Sequence, residues 1–425
     1  MNAPRTLREA SCADDYDPNS MPVDKAREVI RTFLHPVTAI ERVQVRSALD
    51  RVLAEEIVSP VAVPGHDNSA MDGYAVRFSD LAVDGETTLT RVGESFAGKP
   101  WGRAIGAGEC VRIFTGGVMP QGADSVVMQE RAHEVDGRVR IAAGALSKAG
   151  QNRRFAGEDL KAGQVVFRAG QRMHPAELGM IASLGIGEVS VYRRLRVAFF
   201  STGDELRPVG TALAAGEIYD SNRYTLYGML TRIGCEVIDM GVIADAPEQI
   251  ERAFAAAAQS ADVVITSGGV SVGEADYVKQ LLDKLGEVLF WKIAMKPGRP
   301  LAYGKIGDAH FFGLPGNPVA VMMTFYQVVR DALLFLQGQR DIAPLPTFKV
   351  RLSAPIRKAP GRTEFQRGIL TPDGNGGFTV HTTGDQGSGI LSSMSQANCF
   401  IVLGTDTGNV AAGEMVSVQL LEGLL

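Results

Sequence analysis

The chain has 425 residues, of which 45% are hydrophobic and 21% charged, and its formal net charge is −5. This length provides material for roughly three domains with buried cores, and the acidic balance argues against nucleic acid as a partner. No apolar run reaches the roughly 18 residues of a membrane helix, and the first 20 residues lack a secretory pattern. We therefore expect a soluble, cytoplasmic, multidomain protein that contacts no membrane and in which residues 1–20 form a disordered extension.

The cysteines and histidines do not predict a disulfide or a zinc site. The four cysteines, Cys12, Cys110, Cys235 and Cys399, lie far apart in the chain. They have neither paired-motif nor zinc-ligand spacing, which fits reduced thiols in a cytoplasmic compartment. The six histidines are equally scattered.

The first part of the chain predicts a domain that is interrupted by an insertion. Apolar residues recur at helical spacing over residues 23–34, and a second short helix is predicted over residues 175–184 with proline at its first position. Between these helices, residues 61–155 alternate short β-branched runs with glycine-rich turns, which predicts a β-rich unit. We therefore expect a discontinuous linker domain over residues 21–60 and 156–194.

A different periodicity begins at Arg196, where buried-strand patterns alternate with helical ones. This alternation predicts a central three-layer α/β domain over residues 195–343. After a proline-containing linker, short strands and a glycine-rich turn predict a small C-terminal β-barrel over residues 344–425. The predicted α/β strands span 197–201, 236–243, 262–266, 288–293, 301–305 and 310–314, and the helices span 222–233, 247–259, 274–285 and 318–336.

A glycine-rich turn follows the third predicted strand of the α/β domain. It contains Ser267, Gly268, Gly269 and Ser271, and Asp276 follows at the predicted start of a helix. Such a turn presents unpaired backbone N–H groups to an anion, and a nearby carboxylate can hold a metal ion. The pattern predicts a phosphate and metal site, although glycine pairs after strands also serve simple tight turns.

Other segments deliver charged side chains to the same edge of the sheet, where ligands of open α/β sheets bind. Glu205 follows the first strand, Asp245 follows the second, and Lys292, Lys296 and Arg299 follow later. Mg²⁺ prefers one or two carboxylates with phosphate oxygens and water, so we expect a metal that bridges a phosphorylated ligand. Three of these residues also have a purely structural explanation. Asp245 could be an ordinary helix start, and Lys292 and Lys296, four residues apart, could lie on one solvated face of a strand.

Polar clusters also lie outside the α/β domain. Asp72 stands in a segment too polar for a strand core, and Thr115 and Asp159 stand in glycine-rich turns. In the last domain, Arg367 and Ser388 would supply a guanidinium and a hydroxyl to an oxyanion. The alternatives are surface loops that bond to their own backbone and an arginine on the exposed side of a strand.

These segments, in their order and spacing, resemble the molybdopterin molybdenumtransferase family, to which bacterial MoeA and the E domain of gephyrin belong. The resemblance covers nearly all of the chain after about residue 20. It implies an L-shaped homodimer of four-domain subunits, in which residues 21–60 and 156–194 contribute to dimerisation and both subunits form the active-site cleft. The matching segments are 67–76, 112–117, 151–159, 200–206, 218–223, 267–277, 290–300, 313–319, 360–368 and 382–388.

The resemblance also implies a reaction, the Mg²⁺-dependent insertion of molybdate into adenylylated molybdopterin with release of AMP. Molybdopterin adenylyltransferase and molybdoenzyme maturation proteins are the implied partners. By position, the implied catalytic residues are Asp72, Thr115, Asp159, Glu205 and Asp276, and the implied metal ligands are Glu205, Asp245 and Asp276. The implied substrate-binding residues are Ser267, Gly268, Gly269, Ser271, Gly313, Pro315, Gly316, Asn317 and Pro318, with Lys292, Lys296, Arg367 and Ser388 around molybdate.

Two other functions are compatible with the same pattern. The α/β domain would also suit an enzyme that adenylylates molybdopterin, although such an enzyme would not require the additional domains. A non-catalytic scaffold of the same fold is the other alternative, because a fold alone does not fix an activity.

Overall fold

The computed structural model describes residues 20–268 and 286–421. The predicted N-terminal extension, apart from Ser20, lies outside the described residues. So do the predicted helix over 274–285 and three predicted site residues, Gly269, Ser271 and Asp276.

The first part of the described chain consists of short strands and two helices. Helix α1 (Val23–Phe33) buries Val23, Ala26, Val29 and Ile30, as its apolar spacing predicts, and α2 (Pro175–Ser183) begins with proline. Short 3₁₀ turns span Val45–Ala48, Phe78–Asp80 and Gln129–Arg131. The strands are β1 (Ile40–Gln44), β2 (Ile57–Val58), β3 (Asn68–Ser69), β4 (Gly73–Val76), β5 (Thr87–Ser95), β6 (Glu109–Ile113), β7 (Ser125–Met128), β8 (Ala132–Val135), β9 (Arg138–Ile141), β10 (Arg153–Arg154), β11 (Val165–Phe167) and β12 (Glu188–Tyr192).

These strands pair across the predicted insertion. Strand β1 pairs with β12 and β2 with β11, both antiparallel, so residues before and after the insertion share small sheets. Within the insertion, six strands form one sheet in the order β7-β4-β6-β5-β9-β8. The bounds of the individual domains stay a prediction.

The α/β domain is built on a mixed six-stranded sheet. Its strands and the short ones around them are β13 (Arg196–Thr202), β14 (Leu206–Arg207), β15 (Ile218–Tyr219), β16 (Glu236–Ile243), β17 (Val263–Ser267), β18 (Gly286–Lys292), β19 (Met295–Lys296), β20 (Pro300–Ile306) and β21 (Ala309–Leu314). The order in the sheet is β16-β13-β17-β21-β20-β18. The first four strands of this order are parallel, whereas β20 and β18 are antiparallel to their neighbours.

Helices cover both faces of this sheet. They are α3 (Ser221–Arg232), α4 (Pro247–Ser260), α5 (Pro318–Thr324) and α6 (Arg330–Leu336), with a π-helical turn at Phe325–Val329 between the last two. On β13 the neighbouring residues Phe199 and Phe200 enter different cores, as expected of alternating side chains. Phe254 of α4 makes edge contacts with Phe200 at 5.2 Å and with Phe311 at 5.4 Å between ring centroids. The predicted three-layer domain is confirmed.

The helical stretch Pro318–Leu336 corrects one expectation from the sequence. It is long and apolar enough to cross a membrane by length and composition, although no such stretch was expected. However, 78% of its apolar window is buried inside the protein, where it packs in the core beside α3. Its apolarity is that of a core helix.

The C-terminal region is a closed barrel. Its elements are β22 (Thr347–Leu352), β23 (Thr363–Pro372), β24 (Phe378–Thr382), α7 (Leu391–Gln396), β25 (Cys399–Leu403) and β26 (Met415–Leu420). The order β23-β24-β22-β26-β25 closes because β25 pairs back with β23. Strand β19 from the α/β domain pairs in parallel with β23, which joins the barrel to the sheet-bearing domain. The predicted small barrel is confirmed.

Candidate active site

A cavity of about 660 Å³ lies between the α/β domain and the barrel. Residues from the ends of β13 and β17 and from the loop after β21 line it, together with residues of β19 and of the barrel. This is the position expected for a ligand of an open α/β sheet. The predicted site residues that line it are Glu205, Ser267, Gly268, Lys296, Pro315, Gly316, Asn317, Pro318 and Ser388.

Gly268 allows the turn after β17 to approach β13. Its φ is +91°, and a Cβ placed on it would lie 2.6 Å from the carbonyl oxygen of Thr202. Any other residue would therefore clash and strain the backbone. The N–H of Gly268 donates to the carbonyl of Leu314 at 3.2 Å, so its role is close approach. The free N–H groups predicted for the turn would belong to residues beyond it, outside the described ranges.

Asn222 connects the two loops that line the cavity from the α/β domain. Its Nδ2 donates to Ser267 Oγ at 2.7 Å and to the carbonyl oxygen of Gly316 at 2.6 Å. The turn after β17 and the loop after β21 are thereby held at a fixed separation. Gly313 itself lies within β21, beside Thr266 of β17, just before this loop.

Lys296 is held at the cavity wall by a buried carboxylate. Its Nζ lies 3.2 Å from Oε1 of Glu364, and the two residues are paired in register between β19 and β23. Glu364 is only 5% exposed, and its Oε2 accepts a hydrogen bond from Gln366 Nε2 at 3.0 Å. Since a buried charge requires partners, the ammonium and the amide together stabilise the carboxylate. The Lys296 side chain itself stays 50% exposed.

Arg367 fixes the barrel loop that carries Ser388. It is 1% exposed, its Nε donates to Ser393 Oγ at 2.9 Å, and one terminal nitrogen donates to the carbonyl of Gly387 at 2.9 Å. Burial lowers the pKa of Arg367 to about 10, and the Asp385 carboxylate acts against that shift. Ser388 lines the cavity, and its carbonyl accepts from the N–H of Val319 at 3.1 Å, which joins the loop to the start of α5.

Further charged side chains complete the wall. Arg299 and Arg362 line the cavity near Lys296, and Glu205 lines the side formed by the α/β domain. The carboxylate of Glu205 lies against Gly203, where a Cβ would come within 2.6 Å of Oε2. The cavity therefore combines a carboxylate with several cationic groups, as the sequence predicts.

Besides Gly313, two described site residues predicted in the α/β domain do not line the cavity. Lys292 ends β18 with an exposed side chain, and Asp245 is exposed after β16, where its N–H donates to Asp204 Oδ1 at 3.3 Å. Because Lys292 and Lys296 lie on different strands, they do not share one strand face. Within residues 20–268 and 286–421, no three His, Cys, Asp or Glu side chains are grouped closely enough to hold a metal ion.

A second cluster lies in the inserted region. Asp72 Oδ1 accepts hydrogen bonds from the backbone N–H and the hydroxyl of Thr115, both at 2.8 Å. The backbone N–H and then the hydroxyl hold the pKa of Asp72 below its ordinary value, and both residues are exposed. Asp159 is anchored through its N–H to the carbonyl of Val63 at 3.1 Å. None of the three lines the cavity.

Comparison with known proteins finds three family models that together match most of the described chain. Residues 21–185 match the MoeA N-terminal region (domain I and II), 198–334 match a probable molybdopterin binding domain, and 349–421 match the MoeA C-terminal region (domain IV). The molybdopterin molybdenumtransferase of Haemophilus influenzae is 46% identical over 404 residues, which cover 95% of this chain and 99% of that protein. The chain belongs to the molybdopterin molybdenumtransferase family. It is an enzyme of molybdenum cofactor biosynthesis.

Two further relatives agree with this family. Gephyrin of Dictyostelium discoideum is 33% identical, over 95% of this chain and 62% of gephyrin. A crystal structure of a MoeA protein from Pyrococcus horikoshii superposes with a TM-score of 0.81 at 29% identity, covering 95% of this chain and all (100%) of that one. The predicted family resemblance is confirmed.

The structure also adds cavity residues that are not among the predicted site residues. Asp220, Asn222 and Thr202 line the cavity and are buried, and Glu364 lies behind Lys296. Asp220 directly before the Ser221 that starts α3 is a helix N-cap signal that could have drawn attention to this position. No sequence signal marks Glu364, because its contact with Lys296 depends on the pairing of β19 with β23, two strands from different domains.

Proposed function

We propose that this enzyme inserts molybdate into the dithiolene of adenylylated molybdopterin, in a Mg²⁺-dependent reaction that releases AMP. Membership of the family supports cofactor biosynthesis, and one observation supports the finer reaction. A single cavity combines a strand-end glycine turn, suited to a phosphate, with a cationic wall from β19 and the barrel, suited to an oxyanion.

The α/β side of the cavity would hold the nucleotide end of the substrate. The turn that starts at Ser267 and the loop over residues 313–318 are held together by Asn222, so their separation is set before the substrate binds. Preorganised positions of this kind lower the entropic cost of placing the reacting groups. Gly269 and Ser271, outside the described residues, remain part of this predicted phosphate site.

The opposite wall would hold molybdate. Lys296 and Arg299 supply donors from one segment and Ser388 supplies a donor from the barrel loop, and several donors are needed to replace the hydration of a dianion. Glu364 keeps the Lys296 ammonium at the wall, and Arg367 keeps the Ser388 loop in place. Lys292 lies outside this wall, so its contact with molybdate stays a prediction.

The donor set on the α/β side suits Mg²⁺. Glu205 offers a carboxylate against Gly203, and Asp245 and Asp276 are the other predicted ligands. Asp245 does not line the cavity and Asp276 lies outside the described residues, so Glu205 is the predicted ligand that the cavity presents. Mg²⁺ usually takes one or two carboxylates and completes its shell with phosphate oxygens and water, so one carboxylate beside a phosphate is compatible with the ion. When bound, the ion would neutralise charge on the phosphate of the adenylate.

We also propose that the enzyme is a homodimer whose cleft includes residues of both subunits. Asp72, Thr115 and Asp159 lie outside the cavity of their own chain. A two-fold axis that places this surface of one subunit over the cavity of the other would complete the predicted catalytic set.

An assay with adenylylated molybdopterin, molybdate and Mg²⁺ tests the reaction. We expect AMP release equal to the molybdenum incorporated, and loss of both when EDTA removes the metal. Undiminished release in EDTA would disprove the Mg²⁺ requirement. Formation of adenylylated product from molybdopterin and MgATP would instead assign an adenylyltransferase, and no AMP release at saturating substrate would favour a scaffold.

A further inference from the structure

We infer that Asp220 and Asn222, at the start of α3, form a subsite for the hydrogen-bond-donating edge of the pterin. This subsite rests on the proposed function, because it takes the pterin part of that substrate. It assigns a recognition role to two residues that the predicted site does not include.

Both side chains carry a buried oxygen without a partner. Asp220 is 2% exposed and Asn222 is 8% exposed, and both residues line the cavity. Asp220 Oδ2 and Asn222 Oδ1 have no hydrogen-bond partner among the described residues. Leaving such groups unsatisfied is costly. A ligand that donates to both oxygens would remove this cost.

The other polar atoms of the two side chains fix the identity of these oxygens. Asp220 Oδ1 caps α3 by accepting the N–H of Arg223 at 3.2 Å. Asn222 Nδ2 donates to Ser267 Oγ and to the carbonyl of Gly316, and a carbonyl oxygen accepts only from a donor. The remaining atom of each side chain is therefore an acceptor with a fixed position.

The acceptor pair matches a pterin better than the other parts of the substrate. The pyrimidine edge of a pterin presents two adjacent donors, the ring N3–H and the 2-amino group, and a carboxylate oxygen with an amide oxygen can accept both. Adenine presents one amino group next to ring acceptors, and phosphate or molybdate would be repelled by the carboxylate. Anions would instead be accommodated at the wall that Lys296, Arg299 and Arg362 line.

A hydrated Mg²⁺ is less compatible with this position. Mg²⁺ usually keeps several of its waters, and a buried pair that already commits one carboxylate oxygen to a helix cap leaves little room for them. Glu205 and the predicted metal ligands remain the metal site of the proposed function. The metal is nevertheless a distinct outcome of the test below.

Two substitutions separate ligand recognition from helix capping. Asp220→Asn and Asp220→Ser both keep a good N-cap, so the melting temperature should change little. The first replaces the free acceptor with a donor, and the second removes it. The binding of free pterin and of lumazine, which has a carbonyl in place of the 2-amino group, is measured by fluorescence titration of the full-length protein.

We expect the unsubstituted protein to bind pterin more tightly than lumazine. Both variants should weaken pterin binding by about tenfold to a hundredfold, with a smaller effect on lumazine and AMP binding changed by less than about twofold. For adenylylated molybdopterin, the KM should rise in both variants. Where free pterin binds too weakly to titrate, this change in KM decides.

Several results would overturn the inference. Unchanged pterin binding and unchanged KM in both variants would show that the acceptors do not touch the substrate. Loss of binding in titrations with Mg²⁺ alone would make Asp220 a metal ligand. If the unsubstituted protein releases AMP but either of these results is obtained, only the subsite fails; if it releases no AMP from adenylylated molybdopterin, the proposed function itself fails.

Discussion

Lys296, held in the wall by its partner Glu364, and the Asp72–Thr115 pair both belong to the proposed active site, but they are built differently. The wall depends on contacts between distant segments: β19 pairs with β23, and a carboxylate that is 5% exposed holds the ammonium. The Asp72–Thr115 pair is exposed and made by two loops of the inserted region. The first lines a cavity of its own chain and the second does not.

This difference indicates how each region would function. A wall fixed by buried partners can orient an ion without help from another subunit. An exposed pair has no enclosed volume of its own and can act on a substrate only when another surface covers it. The wall should therefore determine anion binding, whereas the exposed pair should matter for turnover in the assembled dimer.

Replacing Lys296 with alanine should produce the largest effect. We expect kcat/KM for molybdate to fall by about 10²-fold or more, because one preorganised cationic donor is lost at the oxyanion. The Kd for molybdate should also rise, whereas the Kd for AMP should change little. Anion titration and the AMP-release assay measure these quantities.

Lys349→Ala is the matched control for charge. Lys349 is an exposed lysine on β22 of the barrel and does not line the cavity. We expect near-normal turnover from this variant. Equal losses from both variants would indicate that net charge, and not the position of the ammonium, determines anion binding.

Mixing two inactive variants should test the exposed pair. Asp72→Ala and Lys296→Ala would each inactivate the enzyme, but on different sides of the proposed shared cleft. In a mixed dimer one cleft carries both substitutions and the other carries neither, so random exchange should restore about a quarter of the normal activity. AMP release after dissociation and reassociation of the two variants measures this recovery.

A result without recovery would contradict the shared cleft if the subunits have exchanged. Exchange can be monitored with one variant carrying an affinity tag. As a control, the same mixture of Lys296→Ala with Glu364→Ala should not recover activity, because both residues belong to the same wall. Recovery in that control would mean that the two residues act in different clefts.

The sequence predicts the strand ends well because parallel strands place their carboxyl ends at one edge. Glu205, Ser267 and Gly268 line the cavity for that reason. It does not predict Glu364, whose contact with Lys296 arises only when the barrel adds to β19. Strand-end logic also predicts Asp245 at this edge, but β16 is the outermost strand of the sheet and Asp245 does not line the cavity. The periodicity of the sequence predicts individual strands and helices, but it does not predict which residues of different domains come into contact.

Glu364→Gln should have a moderate effect of a different kind. The ammonium of Lys296 would lose its charged partner and its fixed position, so kcat should fall by about tenfold. Molybdate affinity should stay the same or increase, because the neighbouring negative charge is removed. This response is opposite to the weaker binding expected for Lys296→Ala, and titration with molybdate distinguishes the two.

Glu364→Asp provides the rescue. Glu364→Asp keeps the negative charge and should restore part of kcat. If Glu364 only packed between the domains, the shorter aspartate would lower kcat more than the equally sized glutamine does. An unchanged kcat in Glu364→Gln would contradict the positioning role, because the ammonium would then keep its position without a charged partner.

The smallest expected effect concerns the pKa of Asp72. Hydrogen bonds from Thr115, first from its N–H and then from its hydroxyl, hold this pKa below its ordinary value of 3.8. The stabilisation from these hydrogen bonds is therefore complete above pH 3.8 and is lost as the pH falls through the lower pKa that Asp72 has in the folded protein. Thr115→Val removes only the hydroxyl, so the pKa should rise part of the way towards 3.8 in an NMR titration.

Asp373 is the internal control for that titration. Its pKa is also lowered, by the N–H groups of Asn375 and Gly377 in its own turn, and it should be the same in both proteins. A rise at Asp72 alone would show that the Thr115 hydroxyl orients this carboxylate in solution. An unchanged pKa at Asp72 would mean that the backbone N–H of Thr115 alone orients the carboxylate.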